Sequence, residues 1–247
     1  MKRPVALVTG GTKRVGRAIA LALARRGCDI VVTSRSPDGI GIEGELKAIG
    51  VNARVARFDP VQTGSIPEFA EDLRLKLHRL DVLVHNASAY APTPIGSLSE
   101  AGLLEFMRIN AIAPALLTAA LAGLLSESAL PGGGSVVAMC DIHALGLPRR
   151  NHVAYAMSKA ALAELVRSMA RDLAPRVRVN GVAPGVVAWP ETGPEAEVSF
   201  RARYLSRVPL ARAGEPDDAA GAVAWLALDA PYITGQIIRV DGGRSLV

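Results

Sequence analysis

Tyr155 and Lys159 stand four residues apart in Tyr155-Ala-Met-Ser-Lys159, the spacing that brings two side chains onto one face of a helix. An ammonium beside a phenol favours phenolate, so Lys159 is expected to lower the tyrosine from its ordinary value near 10 and make Tyr155 a proton donor near neutral pH. A second chemical signal is the loop Thr9-Gly10-Gly11-Thr12-Lys13-Arg14-Val15-Gly16, which follows an apolar run and opens a helical one. Glycines let backbone approach a pyrophosphate closely, and the free N–H groups of the helix start hold its charge. Arg14 takes the place of the middle glycine of G-x-G-x-x-G, and an ordinary tight turn is the plainer reading of the loop. The next apolar run ends Val32-Thr33-Ser34-Arg35-Ser36, with no acid before Asp38. An acid there would suit a ribose 2′-hydroxyl, whereas Ser34, Arg35 and Arg14 suit a 2′-phosphate, so the expected cofactor is NADP(H). A solvent-exposed arginine is the alternative. Asp59 is placed to meet an adenine amino group, or to cap a turn.

These residues need a frame. Short β-branched runs at 5–8, 30–33, 53–57, 82–84, 135–139, 177–180 and 237–240 alternate with helical segments, which predicts a parallel sheet. The runs are apolar almost throughout, as when helices cover both faces. The fold class expected is α/β: one Rossmann-like, doubly wound, seven-stranded parallel sheet, spanning 1–247 as a single domain. Tyr155 then opens the helix after the fifth strand, at the carboxyl edge where open α/β sheets bind ligands. A Pro- and Gly-rich stretch at 184–195 precedes a short helix near 198–206, and 184–210 reads as a substrate lid. The helices at 114–129 and 153–173 are apolar over more than one face, which calls for a second subunit. A generous alanine-rich core is the competing reading.

Composition narrows the functional classes. The net charge is +5, but the arginines are interleaved with acids and only 4% of residues are aromatic, so neither a basic stripe nor a base-stacking platform is expected, and nucleic acid is set aside as a partner. Cys28 and Cys140 lie in apolar runs far apart, which reads as reduced thiols of a cytoplasmic protein. The N-terminal run lacks a signal-peptide pattern. The longest apolar stretch, 111–125, is interrupted by Pro114 and Thr118 and is shorter than the roughly 20 residues of a bilayer span. His85, His143 and His152 have no second ligand at metal-site spacing, so no metal is expected.

Taken in order, Thr9-Gly10-x-x-x-Arg14-x-Gly16, Asp59, His85-Asn86-Ala87-Ser88, Asn110, Tyr155-x-x-x-Lys159, Val179-Asn180-x-x-x-Pro184-Gly185, Ile233-Thr234-Gly235 and Val240-Asp241-Gly242-Gly243 resemble the short-chain dehydrogenase/reductase family over essentially the whole chain. The resemblance implies that Tyr155 is the acid, that Lys159 holds the nicotinamide ribose, and that Asn110 seats a water in a proton relay. It further implies that Gly10, Thr12, Arg14, Val15, Gly16, Ser34, Arg35, Asp59, Asn86, Ala87, Ser88, Pro184 and Gly185 line the cofactor, and that the assembly is a homotetramer, a dimer of dimers. Three positions depart from the family pattern: Arg14, His85, and the missing serine before the tyrosine. Counting back 13 residues from Tyr155 lands on Ile142, so placing Asp141 there needs one extra loop residue.

Those departures, with Asn86-Ala87-Ser88-Ala89-Tyr90-x-Pro92-x-Pro94, Asn110-Ala-Ile-Ala-Pro114 and Asp241-Gly242-Gly243-Arg244-Ser245-Leu246, are similar to pteridine reductases and dihydromonapterin reductases. The implied substrate is a dihydropterin such as dihydrobiopterin, dihydromonapterin or dihydrofolate, bound by Arg14, Ser88, Tyr90, Asp141 and Tyr155. A pterin needs a stacking face, which Tyr90 offers, and donors and acceptors around its rim, which a carboxyl at Asp141 supplies better than a serine. The alternative reading of Asp141 is a strand-end cap or a salt bridge to Arg149 or Arg150. Carbonyl reduction, as by a 3-oxoacyl carrier protein reductase, is the alternative activity, and a non-catalytic NADP(H)-binding regulator the alternative class. Arg201, Arg203 and Arg207 either recognise an acidic substrate tail or face water.

Overall fold

A computed structural model describes residues 3–36 and 40–247, which places Asp38 outside the described residues. Seven strands, β1 (Val5–Val8), β2 (Asp29–Ser34), β3 (Ala53–Arg57), β4 (Val82–His85), β5 (Gly134–Met139), β6 (Val177–Pro184) and β7 (Ile237–Val240), form one sheet. Their order is β3-β2-β1-β4-β5-β6-β7 and every neighbouring pair is parallel. This is the doubly wound fold expected. β1 pairs with β2 on one side and β4 on the other, so the chain changes direction there, and the crevice beyond the carboxyl ends of β1 and β4 is the natural ligand site.

Alternation along β1 sorts its side chains between two cores. Ala6 and Val8 face α1 (Arg14–Arg25), α2 (Ile40–Ala48) and α8 (Pro216–Leu228), whereas Leu7 faces α3 (Ile66–Lys76), α5 (Ala113–Ser126) and α6 (Val153–Asp172). Both faces are covered, which is why the strands are apolar at nearly every position.

Boundaries differ from expectation where side chains override local signals. The apolar run expected at 177–180 continues beyond it: β6 runs to Pro184 and pairs with β7 from Gly181 onward. Asn180 turns its amide sideways, donating to Ile233 O at 2.8 Å and accepting from Gln236 N at 3.0 Å. A Cβ at Gly181 would meet Cys140 Sγ at 3.0 Å and Ile237 Cγ1 at 3.1 Å, so the glycine serves packing. The helix after the Gly-rich loop starts at Arg14, within the loop motif itself.

α4 (Glu100–Met107) and α5 join through a π-helical turn (Arg108–Ile112) into one helical run, Glu100–Ser126, of 27 residues. This run is long and apolar enough, by length and composition alone, to cross a bilayer, which the interrupted 111–125 stretch did not show. Half of its most apolar window is buried within the molecule, where Ala113, Leu117, Leu121 and Leu125 pack on the sheet. Its apolarity is therefore largely that of a core helix. Leu104, Ile112 and Leu116, with Met157 on α6, remain exposed.

Candidate active site

The carboxyl ends of β1, β4 and β5 deliver the residues singled out above. In the Gly-rich loop Gly10 has φ +62°, which glycine adopts without cost. Arg14 is left-handed too, at φ +51°, an uncommon conformation for a side chain. A Cβ at Gly16 would sit 2.2 Å from Gly10 O and 2.5 Å from Asn86 Nδ2, so α1 approaches the loop as closely as backbones allow. The first turn of α1 has no side-chain cap and no acid, leaving its N–H groups and positive end available to an anion. Asn86 locks this geometry by donating to Thr9 O and Gly10 O, both at 3.0 Å. Thr9 Oγ1 accepts from Asn86 N at 3.0 Å and Ala87 N at 3.1 Å; sequence reasoning had given Thr9 no role. Thr12 and Val15 complete the loop, and Val15 packs on the core.

Arg14 points elsewhere than expected. Its Nη2 donates to Ala188 O at 3.2 Å and Trp189 O at 3.1 Å, linking the loop to the connection between β6 and α7 (Val198–Leu205). At the end of β2, Ser34 Oγ accepts from Ser36 N at 3.3 Å, and the exposed Arg35 has no partner among the described residues. Asp59 accepts from Val61 N at 3.1 Å, capping its own turn and leaving its other carboxylate oxygen free. Pro184 and Gly185 end β6, with Gly185 N donating to Val240 O at 2.9 Å.

Tyr155 Oη donates to Asp141 Oδ2 at 2.5 Å, while Asp141 Oδ1 accepts from His143 N at 2.7 Å. Asp141 therefore occupies the partner position of the tyrosine despite the apparent one-residue offset. Its carboxylate caps the turn at Ile142–Ala144 and makes no ion pair with Arg149 or Arg150. The effect expected of Lys159 is not observed. Lys159 Nζ donates to Met139 O at 2.7 Å and lies 6.0 Å from the Tyr155 ring centre. Burial first, then the Asp141 carboxylate, hold the Tyr155 phenol well above its ordinary pKa, so it stays protonated, and burial lowers Lys159.

Asn110 does not have a side chain to spare for water. Its Nδ2 donates to Ala89 O at 3.0 Å and Ser158 Oγ at 2.9 Å, and its Oδ1 accepts from Ala89 N at 2.8 Å and Ser88 Oγ at 3.0 Å. Two donors and two lone pairs are all engaged, so the side chain braces the 88–89 loop against α6. His85 is buried with Nε2 at 2.7 Å from Thr118 Oγ1, and burial pushes it down to about 3. It is a neutral core residue, away from the rim. His143 Nδ1 donates to Leu147 O at 2.8 Å.

Tyr90, expected as a stacking platform, is 41% exposed, and its ring also has protein partners. Its ring stacks on His152 at 5.2 Å, meets Tyr155 edge-on at 4.9 Å, and has the Arg149 guanidinium over it at 5.8 Å. Its hydroxyl donates to Glu195 Oε1 at 2.7 Å, and burial with that carboxylate raises its pKa. Arg149 forms an ion pair with the same oxygen. Neither Glu195 nor its link to Arg149 was evident in sequence. Arg201 lies over the Trp189 ring at 5.3 Å, whereas Arg203 and Arg207 are exposed.

The chain is similar over nearly its whole length to known proteins. A family model described as enoyl-(acyl carrier protein) reductase matches residues 11–245. An uncharacterized oxidoreductase of Mycobacterium tuberculosis (strain CDC 1551 / Oshkosh) is 34% identical over 98% of this chain and 92% of its own length. A dihydromonapterin reductase of Enterobacter sp. (strain 638) is 32% identical over 99% of this chain and 98% of its own. Among solved structures, a 3-oxoacyl-[acyl-carrier protein] reductase from Brucella melitensis superposes with TM-score 0.89 at 28% identity, covering 100% of this chain and 99% of that one.

Proposed function

The chain belongs to the short-chain dehydrogenase/reductase family, and from that premise we propose that this oxidoreductase is an NADPH-dependent reductase of a dihydropterin. The observation that carries the reading is the 2.5 Å pair between Tyr155 and Asp141. Carbonyl reduction pairs its tyrosine with a neutral hydroxyl, whereas a carboxylate suits the amino and N–H rim of a pterin. Reducing a ring C=N consumes a hydride and a proton. The dihydronicotinamide supplies the hydride when bound, and Tyr155 Oη holds the proton, with Asp141 fixing the phenol's orientation. Cofactor residues fit: the close Gly10–Gly16 approach and uncapped α1 suit a pyrophosphate, Arg35 and Ser34 a 2′-phosphate, and Lys159 a ribose. Residues 184–210 act as a lid, pinned at Arg14 and Glu195. A second copy covers the exposed Leu104, Ile112, Leu116 and Met157, and two such dimers build a homotetramer.

Steady-state oxidation of NADPH with dihydrobiopterin, dihydromonapterin, dihydrofolate and an acetoacetyl thioester tests the reading. A dihydropterin should give the highest kcat/KM; turnover confined to the thioester would refute it. Arg35→Glu should weaken NADPH about tenfold or more through loss of a charge-assisted contact and its replacement by repulsion, with NADH little changed. Equal effects on the two would remove the 2′-phosphate role.

A further inference from the structure

Three polar groups converge on one oxygen of Glu195. Tyr90 Oη donates to Oε1 at 2.7 Å, Arg149 Nη2 pairs with it, and His152 Nε2 lies 3.9 Å away. The side chains of Glu195, Arg149 and His152 are 15%, 17% and 6% exposed. A carboxylate thus sits between the largely buried Arg149 and His152, against a wall, Tyr90, that is 41% exposed and touches the acid Tyr155 edge-on.

Part of the host is held independently of its occupant. Arg149 lies 5.8 Å from the Tyr90 ring centre, a contact that keeps a guanidinium in place without a carboxylate; its second aromatic neighbour, Phe200 at 5.7 Å, belongs to α7 on the same connection as Glu195. Glu195 belongs to a single 3-10 turn, Pro194–Ala196, preceded by exposed residues 191–193. The occupant is also an incomplete match. His152 Nδ1 faces Arg150 O at 2.7 Å, and since a carbonyl only accepts, Nδ1 carries the hydrogen and Nε2 of the neutral ring is an acceptor. That buried Nε2 has no hydrogen-bond partner among the described residues, an uncommon condition for a buried polar atom. Glu195, itself an acceptor, has nothing to give it.

We propose that Arg149, the Tyr90 hydroxyl and His152 form a substrate-recognition site for a carboxylate flanked by an N–H donor, as in an N-acylamino acid, and that Glu195 fills it from within the chain until such a ligand displaces it. The carboxylate takes Arg149 and Tyr90, and the adjacent N–H satisfies His152 Nε2. Resting on the pterin reading only for what is reduced, the site selects substrates whose reducible ring carries an acylamino acid tail.

Calorimetric titration with hippurate and benzoate, which needs no turnover, tests it. Glu195→Ala removes the occupant outright and, read alongside thermal unfolding, should bind hippurate roughly tenfold more tightly than the unaltered protein, and more tightly than it binds benzoate. Glu195→Ser should do the same if the alanine variant folds poorly. Arg149→Met in either background should abolish binding. Hippurate affinity unmoved by Glu195→Ala and Glu195→Ser, or surviving Arg149→Met, overturns the site. Hippurate binding as described without pterin turnover would leave the site standing and refute the pterin reading alone.

Discussion

Replacing Tyr155 with Phe is expected to lower kcat by about 10²–10⁴-fold, the range general acid catalysis usually contributes, while cofactor affinity stays within about twofold. The phenol is held protonated by burial and by the Asp141 carboxylate, to which it donates at 2.5 Å. Removing the hydroxyl takes away the proton the substrate needs and leaves Asp141 Oδ2 without its donor, although His143 N still holds Oδ1. The aromatic contacts of Tyr155 with Tyr90 and His152 are retained by Phe. The loss should therefore fall on kcat, with only a small change in thermal stability. Pre-steady-state and steady-state NADPH oxidation, with fluorescence titration of NADPH, checks this. An unchanged kcat would mean that another group supplies the proton.

The second large effect lies at Gly16. A Cβ there would stand 2.2 Å from Gly10 O and 2.5 Å from Asn86 Nδ2, neither the free end of a flexible side chain. Gly16→Ala must push the Gly-rich loop away from α1, at the roughly 1–3 kcal/mol typical of overpacking. The same shift displaces the N–H groups offered to the pyrophosphate, so NADPH should bind about 10- to 100-fold more weakly while the melting temperature falls. Gly44→Ala is the control: its Cβ meets nothing within 4 Å and it lies inside α2, so it should be neutral or mildly stabilising. Cofactor affinity and thermal unfolding of the two variants decide the matter, and normal NADPH binding by Gly16→Ala would contradict the loop's role.

The sheet was readable because its five inner strands are buried on both faces and therefore apolar, although the edge strands β3 and β7 are only partly buried and carry Arg54, Arg57 and Arg239. β6 extends past the expected end at 180, because the use of Asn180-Gly181, tying the 233–236 loop and clearing room for Cys140 and Ile237, depends on tertiary contacts that composition does not carry. The catalytic pair was legible through Tyr155-x-x-x-Lys159, and Asp141 only with an allowance of one loop residue. What spacing could not tell was the direction of the Lys159 side chain. Helical register puts it on the face of Tyr155, but burial leaves the Met139 carbonyl as its partner, so the tyrosine feels the nearer carboxylate instead. Asn110 was found for its position while its side-chain hydrogen bonds, all internal, give it a bracing role. Glu195 lies far in sequence from Arg149 and His152 and shares no motif with them; their meeting exists only after the connection beyond β6 folds back over Tyr90.

The central claim, that the hydride goes to a pterin ring, is tested most directly by following the label from NADPH deuterated at the transferable C4 position. With a dihydropterin as acceptor, mass spectrometry should find the deuterium in the tetrahydropterin, and Tyr155→Phe should slow its appearance by the factor given above. Deuterium absent from the pterin but present in the hydroxyacyl product of an acetoacetyl thioester would contradict the account.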